Sequence, residues 1–385
     1  MLFTRVQRII EKNIHEIVGV LFRKYPTFIL NDHEGAFREL PAFVFHDVTS
    51  ESLEPMLCFL AENGYGTFTA DEYVERQARG ERGQEREVLL TFDDGLKGLY
   101  TAAYPALKRY GLKAVAYVVP GVTPEGDGAY GTEEWDKSLC NWKEIREMHD
   151  SGTLDIQSHS MYHHSIPVSS RVLDFVQSAI TFPLFEPYQA TPIGAEPRKA
   201  RISEFAYGTA ICKGSPRYGN ARAFQETPSV VLACVDYVRL HGGADYFRTP
   251  RWRSRLKAVM EEARQRDGNA SVETEAEQRA AILRDLIDSK REIERRLPGK
   301  TVRHFAYPWF RGSALAARLS AEAGYVSNAW ASLVPRFVVP GELPIPITRF
   351  LPSYLWRLPG KGRRTLSEVL RERFAQLHAA KFFYE

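Results

Sequence analysis

Cysteine is scarce in this 385-residue chain: Cys58, Cys140, Cys212 and Cys234 are its four thiols. They lie far apart and form no CxxC pair, which argues against a disulfide framework and leaves reduced thiols as the expectation. No stretch of about 18 apolar residues occurs, so no transmembrane helix is expected. Charge of one sign is missing too. The 51 basic and 48 acidic residues leave a net charge of +3, which gives no argument for a nucleic-acid or membrane-surface protein. A signal peptide is not evident, because Arg5, Arg8, Glu11, Lys12 and Glu16 interrupt the apolar residues of the N-terminus. A cytoplasmic location is the resulting expectation. Internal repeats and low-complexity tracts are also lacking.

A hydrophobic content of 44% is enough for one large domain or two modest ones. Val6, Ile9, Ile10, Ile17, Val18 and Leu21 follow helical spacing, so residues 1–40 read as a helical extension. That helix packs on the domain or makes a peripheral membrane or partner contact. From residue 41 strands and helices alternate. Strands are expected at 42–45, 88–92, 114–119 and 154–158, with helices near 52–63, 99–110 and 142–151. This rhythm implies parallel strands in a doubly wound sheet or a barrel. Three strands end in polar groups: His46, Asp93-Asp94 and His159. In parallel barrels the catalytic face lies at the C-terminal ends of the strands.

The rhythm breaks after Ser165, with helix expected again at 252–266. It resumes with a charged helix at 275–296, strands at 302–307, 325–328 and 345–350, and a helix at 313–323. The simplest account is one barrel over 41–350, interrupted by an insertion at 165–274 and followed by a helical tail at 351–385.

Two motifs carry the chemistry. Thr91-Phe92-Asp93-Asp94-Gly95 supplies adjacent carboxylates, and His159-Ser160-Met161-Tyr162-His163 supplies two imidazoles. Carboxylate and imidazole ligands suit zinc and its divalent neighbours, and three such ligands leave coordination positions for water and substrate. The second carboxylate remains for acid/base work, and Gly95 lets the backbone turn away. A lone Asp-Asp-Gly is usually a turn, and HxxxH alone is usually a helix-face coincidence. Both at strand ends in one chain point to a hydrolase.

The TFDDG and HSxxH motifs, with Phe305-Ala306-Tyr307-Pro308-Trp309, resemble the NodB-homology polysaccharide deacetylases, carbohydrate esterase family 4, in their FAYP-type branch. Asp288-Ser289-Lys290 and Glu322-Ala323-Gly324-Tyr325 match on the flanks. The resemblance implies a distorted (β/α)7 barrel with a long insertion between the second and third motifs. It also implies hydrolysis of N-acetyl groups on amino sugars. By motif position Asp93 resembles the general base, and Asp94, His159 and His163 resemble the metal ligands. Ser160 resembles the hydroxyl that fixes the loop, and Trp309 the source of an oxyanion-stabilising N–H. Tyr307, Pro308 and Trp309 would then line the substrate. The cofactor implied is a divalent metal, zinc first, with cobalt, nickel or manganese as alternatives. The partner implied is an N-acetylated sugar, free, nucleotide-linked or lipid-linked.

The pattern departs from the family in three places, one of them Phe310, where the position after Trp309 is often glycine. The arginine of the common third motif is replaced by Ala306, and Arg349 either supplies that charge from the last strand or forms a surface ion pair. The family's Leu-x-His motif has no match. His46 is the substitute acid by position, with a structural buried histidine as the competing reading and metal-bound water or the protonated base as the other candidate acids. His164 is either a further imidazole at the site or an exposed neighbour. Tyr218, Arg222, Tyr246, Arg248, Arg251, Trp252 and Arg253 either contact sugar and phosphate or belong to an ordinary packed excursion. An amidohydrolase acting on a non-sugar amide and an inactive glycan-binding protein are the alternative functions.

Overall fold

In a computed structural model of the chain, the described residues are 25–31, 40–79, 86–126, 138–163, 165–178, 189–190, 206–330 and 343–382. The expected N-terminal helix over residues 4–24, and His164, lie outside them. In chain order the strands are β1 (Ala42–Phe45), β2 (Gly66–Thr67), β3 (Glu87–Phe92), β4 (Ala114–Val118), β5 (Leu154–Ser158), β6 (Ser165–Phe175), β7 (Gln189–Ala190), β8 (Ala210–Pro216), β9 (Phe224–Gln225), β10 (Ser271–Val272), β11 (His304–Ala306), β12 (Ser327–Trp330) and β13 (Ile345–Phe350).

Seven of these strands, in the order β1-β13-β12-β11-β5-β4-β3, form a barrel of parallel strands that closes where β3 pairs with β1. The short β2 pairs in parallel with the first two residues of β3. This is the distorted (β/α)7 architecture. Strands β1 and β4 are apolar runs rather than alternating ones, because in a parallel barrel both faces of a strand are covered. Every residue of β1 and β4 is buried. The chain divides into two compact units, one of Met1–Tyr117, Pro124–Gln157 and Ala329–Glu385, the other of Val118–Thr123 and Ser158–Asn328.

In the first unit, β1 registers on β3 from Ala42↔Leu89 to Phe45↔Phe92, and on β13 through Ala42↔Arg349. This register brings the end of β1 beside the Asp-Asp turn. Helices Ser50–Glu62, Ala70–Ala78 and Trp142–Asp150 each begin with a capping box, from Thr49, Thr69 and Asn141. Reciprocal bonds there satisfy amide groups that the first helical turn leaves without partners. The single helix expected at 99–110 is a π-helical turn, Leu99–Ala103, running into an α-helix, Tyr104–Tyr110. Gly111 ends it at φ 66°. At its start a Cβ on Gly98 would lie 2.3 Å from the Val48 carbonyl oxygen, so only glycine fits against that backbone.

In the second unit, the insertion is an antiparallel sheet, β6-β8-β7, with helices Pro228–Leu240 and Trp252–Asp267. Phe175, Val230, Cys234, Tyr246, Trp252 and Leu256 form its core. Tyr246 and Trp252 are therefore buried, and Tyr218 is buried against Phe305 and Tyr307. Arg253 lies over the Trp252 ring and pairs with Asp174. Helix Glu275–Arg296 begins with a capping box from Thr274 and buries Ile282, Leu286, Ser289 and Ile293 on one side. No helix among the described residues is long and apolar enough to cross a membrane.

Candidate functional site

The first half of the site is built at the end of β3. Thr91 Oγ1 donates to the Phe43 carbonyl at 2.8 Å, and the Asp93 N–H donates to the Phe45 carbonyl at 2.9 Å. Both bonds tie the strand end to β1. The Asp93 carboxylate is 1% exposed and meets the Arg349 guanidinium end-on. Nη1 donates to Oδ1 at 2.6 Å and Nη2 to Oδ2 at 2.9 Å. Nη1 also donates to Thr91 Oγ1 at 3.1 Å. The guanidinium carbon stands 5.3 Å from the centre of the Tyr117 ring. A bidentate, buried arginine fixes both oxygens of a carboxylate in space, which a lysine at the same place does not do. Arg349 is thus not a surface ion pair.

Asp94 follows at φ 72° and Gly95 at φ 70°. Two successive left-handed residues turn the chain sharply, so the Asp94 side chain leaves in a different direction from that of Asp93. His46 follows β1 directly and is half-buried.

The second half is the loop after β5. The His159 N–H donates to the Val118 carbonyl at 2.8 Å. His159 Nδ1 lies 2.9 Å from the Ala306 carbonyl oxygen. A carbonyl only accepts, so Nδ1 carries the proton and Nε2 presents its lone pair. Ser160, at φ 73°, accepts the His163 N–H on its Oγ at 2.8 Å. The Met161 carbonyl accepts from the Gly121 N–H at 2.8 Å, and the Met161 N–H donates to Asp285 Oδ1 at 3.1 Å. A Cβ on Gly121 would lie 2.4 Å from the Met161 oxygen and from the Tyr162 ring. His163, at φ 55°, holds its ring 4.9 Å from that of His159 and 4.2 Å from that of Trp309. The HxxxH spacing is therefore a strained loop and not a helix face.

The third motif turns at Trp309 (φ 50°) and Phe310 (φ 57°). Tyr307 is fully buried, receives an amide proton from Asn328 on its hydroxyl at 2.6 Å, and packs its ring on Phe305. Pro308 is buried as well. Both side chains are thus buried at the start of the turn. Trp309 is half-exposed.

Of the seven non-glycine residues with positive φ among the described residues, Asp94, Ser160, His163 and Trp309 fall within the three motifs, and Phe310 directly follows the third. Such conformations cost on the order of 1–3 kcal/mol each and persist where the surroundings over-determine them, which happens at functional sites.

Among the described residues, the ligand atoms of Asp94, His159 and His163 all lie within 4.8 Å of one another. Two imidazoles, at least one with its outer nitrogen tied to a carbonyl, and one carboxylate are a donor set suited to zinc or a similar divalent ion. The residues present fit such an ion.

Residues 80–178 match the family model described as polysaccharide deacetylase. This segment belongs to the polysaccharide deacetylase family. A 124-residue stretch, 31% of the chain, is 31% identical to the poly-β-1,6-N-acetyl-D-glucosamine N-deacetylase of Escherichia coli (strain K12) and spans 18% of that protein. Another, of 135 residues or 34% of the chain, is 24% identical to the enzyme of the same name from Staphylococcus epidermidis and spans 44% of it. The protein YxkH of Bacillus subtilis (strain 168) is 29% identical over 133 residues, 32% of the chain and 43% of that relative. The chain thus matches less than half the length of these relatives. In fold it is similar to the BpsB deacetylase domain from Bordetella bronchiseptica, with a TM-score of 0.50 and 18% identity over 81% of this chain and 95% of that one.

Asp285, Tyr218 and Gly121 brace the loop that carries His159 and His163, and sequence alone does not mark them for that place. Gly121 closes a strand with Pro120, but a close approach of another backbone cannot be told from a turn in sequence alone. Asp285 is one acid among many on a charged helix.

Proposed function

We propose that the chain is a metal-dependent hydrolase that removes an N-acetyl group from an amino sugar. The observation that carries this reading is the cluster of Asp94, His159 and His163, with Asp93 on the adjacent residue clamped by Arg349. The family match of the segment containing the first two motifs supports it, as do the names of the relatives. The substrate class we infer is an N-acetylglucosamine-containing glycan, free or linked to a nucleotide or lipid.

Asp94, His159 and His163 would hold the ion, with zinc the first candidate by donor set. The chemistry a divalent ion supplies there is a water of lowered pKa and a polarised amide carbonyl. Asp93 takes the proton of the attacking water. Arg349 keeps both Asp93 oxygens in one plane, so the carboxylate meets the water in a single orientation. The Phe310 and Arg311 N–H groups are bonded to the Tyr307 and Pro308 carbonyls within the turn, at 2.9 and 3.0 Å. The Trp309 N–H is the donor we assign to the developing oxyanion. Its ring, edge-on to His163, forms the apolar wall beside the acetyl group. His46, at the end of β1, is the residue we assign to protonate the departing amine.

The test is acetate release from N-acetylglucosamine oligomers, nucleotide-linked sugars and lipid-linked sugars, with and without chelator. Chelator-sensitive release from one class establishes the activity and names the substrate. No release from any class, with metal shown to be bound, overturns the reading.

A further inference from the structure

We infer that Asp285 and Tyr218 are positioning residues for the metal-binding loop, and that the insertion is through Tyr218 a working part of the site. This inference rests on the metal-centre reading above.

Met161 sits midway between His159 and His163. Its N–H donates to Asp285 Oδ1 at 3.1 Å, and its carbonyl accepts from Gly121. The loop is therefore held at its midpoint from both sides. The same Asp285 oxygen accepts the Tyr218 hydroxyl. Burial lifts the Tyr218 phenol well above its ordinary value, so the hydroxyl stays protonated and donates. Burial also pushes the Asp285 carboxyl up, while the Tyr218 hydroxyl and the Met161 N–H pull it back down.

Tyr218 is itself tightly held. Its carbonyl accepts the Ser313 N–H at 2.8 Å. Beside it, Arg217 makes a buried two-fold bond to Glu273 at 2.8 and 2.6 Å, and Glu273 also accepts the Ala223 N–H at 3.1 Å. Gln278, on the helix that bears Asp285, donates to the Ala221 carbonyl at 2.9 Å. The Tyr218 ring packs on Phe305 and Tyr307, with centroids at 5.1 and 5.9 Å. One side chain of the insertion thus touches the third motif through its ring and the second motif through Asp285.

The physical consequence concerns the imidazoles. Ser160 and His163 are at positive φ, a conformation the loop does not keep without restraint. Removing the acceptor of the Met161 N–H leaves a part-buried donor without that partner and lets the loop relax. The two histidines then no longer converge. Partners behind metal ligands are commonly worth about 10–100-fold in metal affinity.

The experiment is competition for Zn²⁺ or Co²⁺ against a chromophoric chelator, with the Co²⁺ visible spectrum as a report on ligand geometry. Wild type, Asp285→Ala, Asp285→Asn and Tyr218→Phe are compared, and folding is followed by circular dichroism. The expected result is a loss of about 10–100-fold in affinity with an altered Co²⁺ spectrum for Asp285→Ala. Asp285→Asn, which keeps an acceptor oxygen, recovers most of it, and Tyr218→Phe falls between. Should Asp285→Ala not fold, the other two variants carry the comparison. Wild-type affinity and spectrum in folded variants would overturn the inference alone. A wild-type protein that binds no divalent ion would overturn the metal-centre reading and this inference with it.

Discussion

Replacing Arg349 tests the reasoning about the base most directly. Arg349 and Asp93 are 0% and 1% exposed, and their two short bonds compensate charges that water does not reach. Arg349→Met keeps most of the stem and removes the guanidinium. It leaves a buried carboxylate without its counter-charge and removes the donor to Thr91 Oγ1. Breaking a buried pair from one side costs about 3–5 kcal/mol. Asp93→Asn strands the arginine instead and is expected to cost a similar amount. The double variant buries two neutral groups, and its cost should fall well below the sum. Urea denaturation of wild type, both single variants and the double variant closes the cycle. A coupling energy of about 2 kcal/mol or more is expected. Single costs that add to the double cost within about 0.5 kcal/mol would refute the claim that these charges depend on each other. Arg349→Lys separates charge from geometry. It keeps the cation but loses the planar fork, so kcat should fall by about 10²-fold with metal content unchanged. Wild-type turnover in that variant would mean that orientation of Asp93 is not what Arg349 contributes.

Further outcomes follow from the same geometry. Asp93→Asn should lower kcat by about 10²–10⁴-fold while metal affinity stays within a few-fold of wild type, because Asp93 is not among the three clustered ligands; turnover near the wild-type rate would remove Asp93 from the base role. Gly121→Ala places a Cβ 2.4 Å from the Met161 carbonyl oxygen, so about 1–3 kcal/mol of stability and much of the metal affinity should be lost. Calorimetry and chelator competition would both show wild-type values if that contact were unimportant. Burial pushes the thiols of Cys140 and Cys234 up to about 12 and that of Cys212 to about 11. Thiolate forms only as pH approaches such values, so at pH 8 these three stay protonated and unreactive. A disulfide reagent should modify at most Cys58 in the native protein and all four thiols in denaturant. Rapid native modification of more than one would contradict the packing.

Much of the barrel was legible because the signals for it are local. A parallel strand covered on both faces is written as a short apolar run, as in Val88–Phe92 and Ala114–Val118. Thr274, with Glu277 three residues on, marks the start of the helix that ends at Arg296. The motif residues were readable for the same reason, since a turn that aims two carboxylates apart needs them adjacent and followed by glycine. The insertion was less legible. Its sheet pairs β6 with β8 at distant positions, such as Ser165↔Pro216, and no local pattern encodes that register.

From its residues alone the chain determined the alternation of strands and helices, and which side chains have the chemistry to bind a cation and accept a proton. Tertiary structure decided which of them meet. It set Arg349 on Asp93 across the β1–β3–β13 register, and it buried Tyr307, Tyr246 and Trp252. It also brought Met161, Tyr218 and Asp285 to one oxygen atom. Periodicity and capping act over a few residues and leave a trace in sequence. A hydrogen bond between residues 67 positions apart, as for Tyr218 and Asp285, leaves none until the chain has folded.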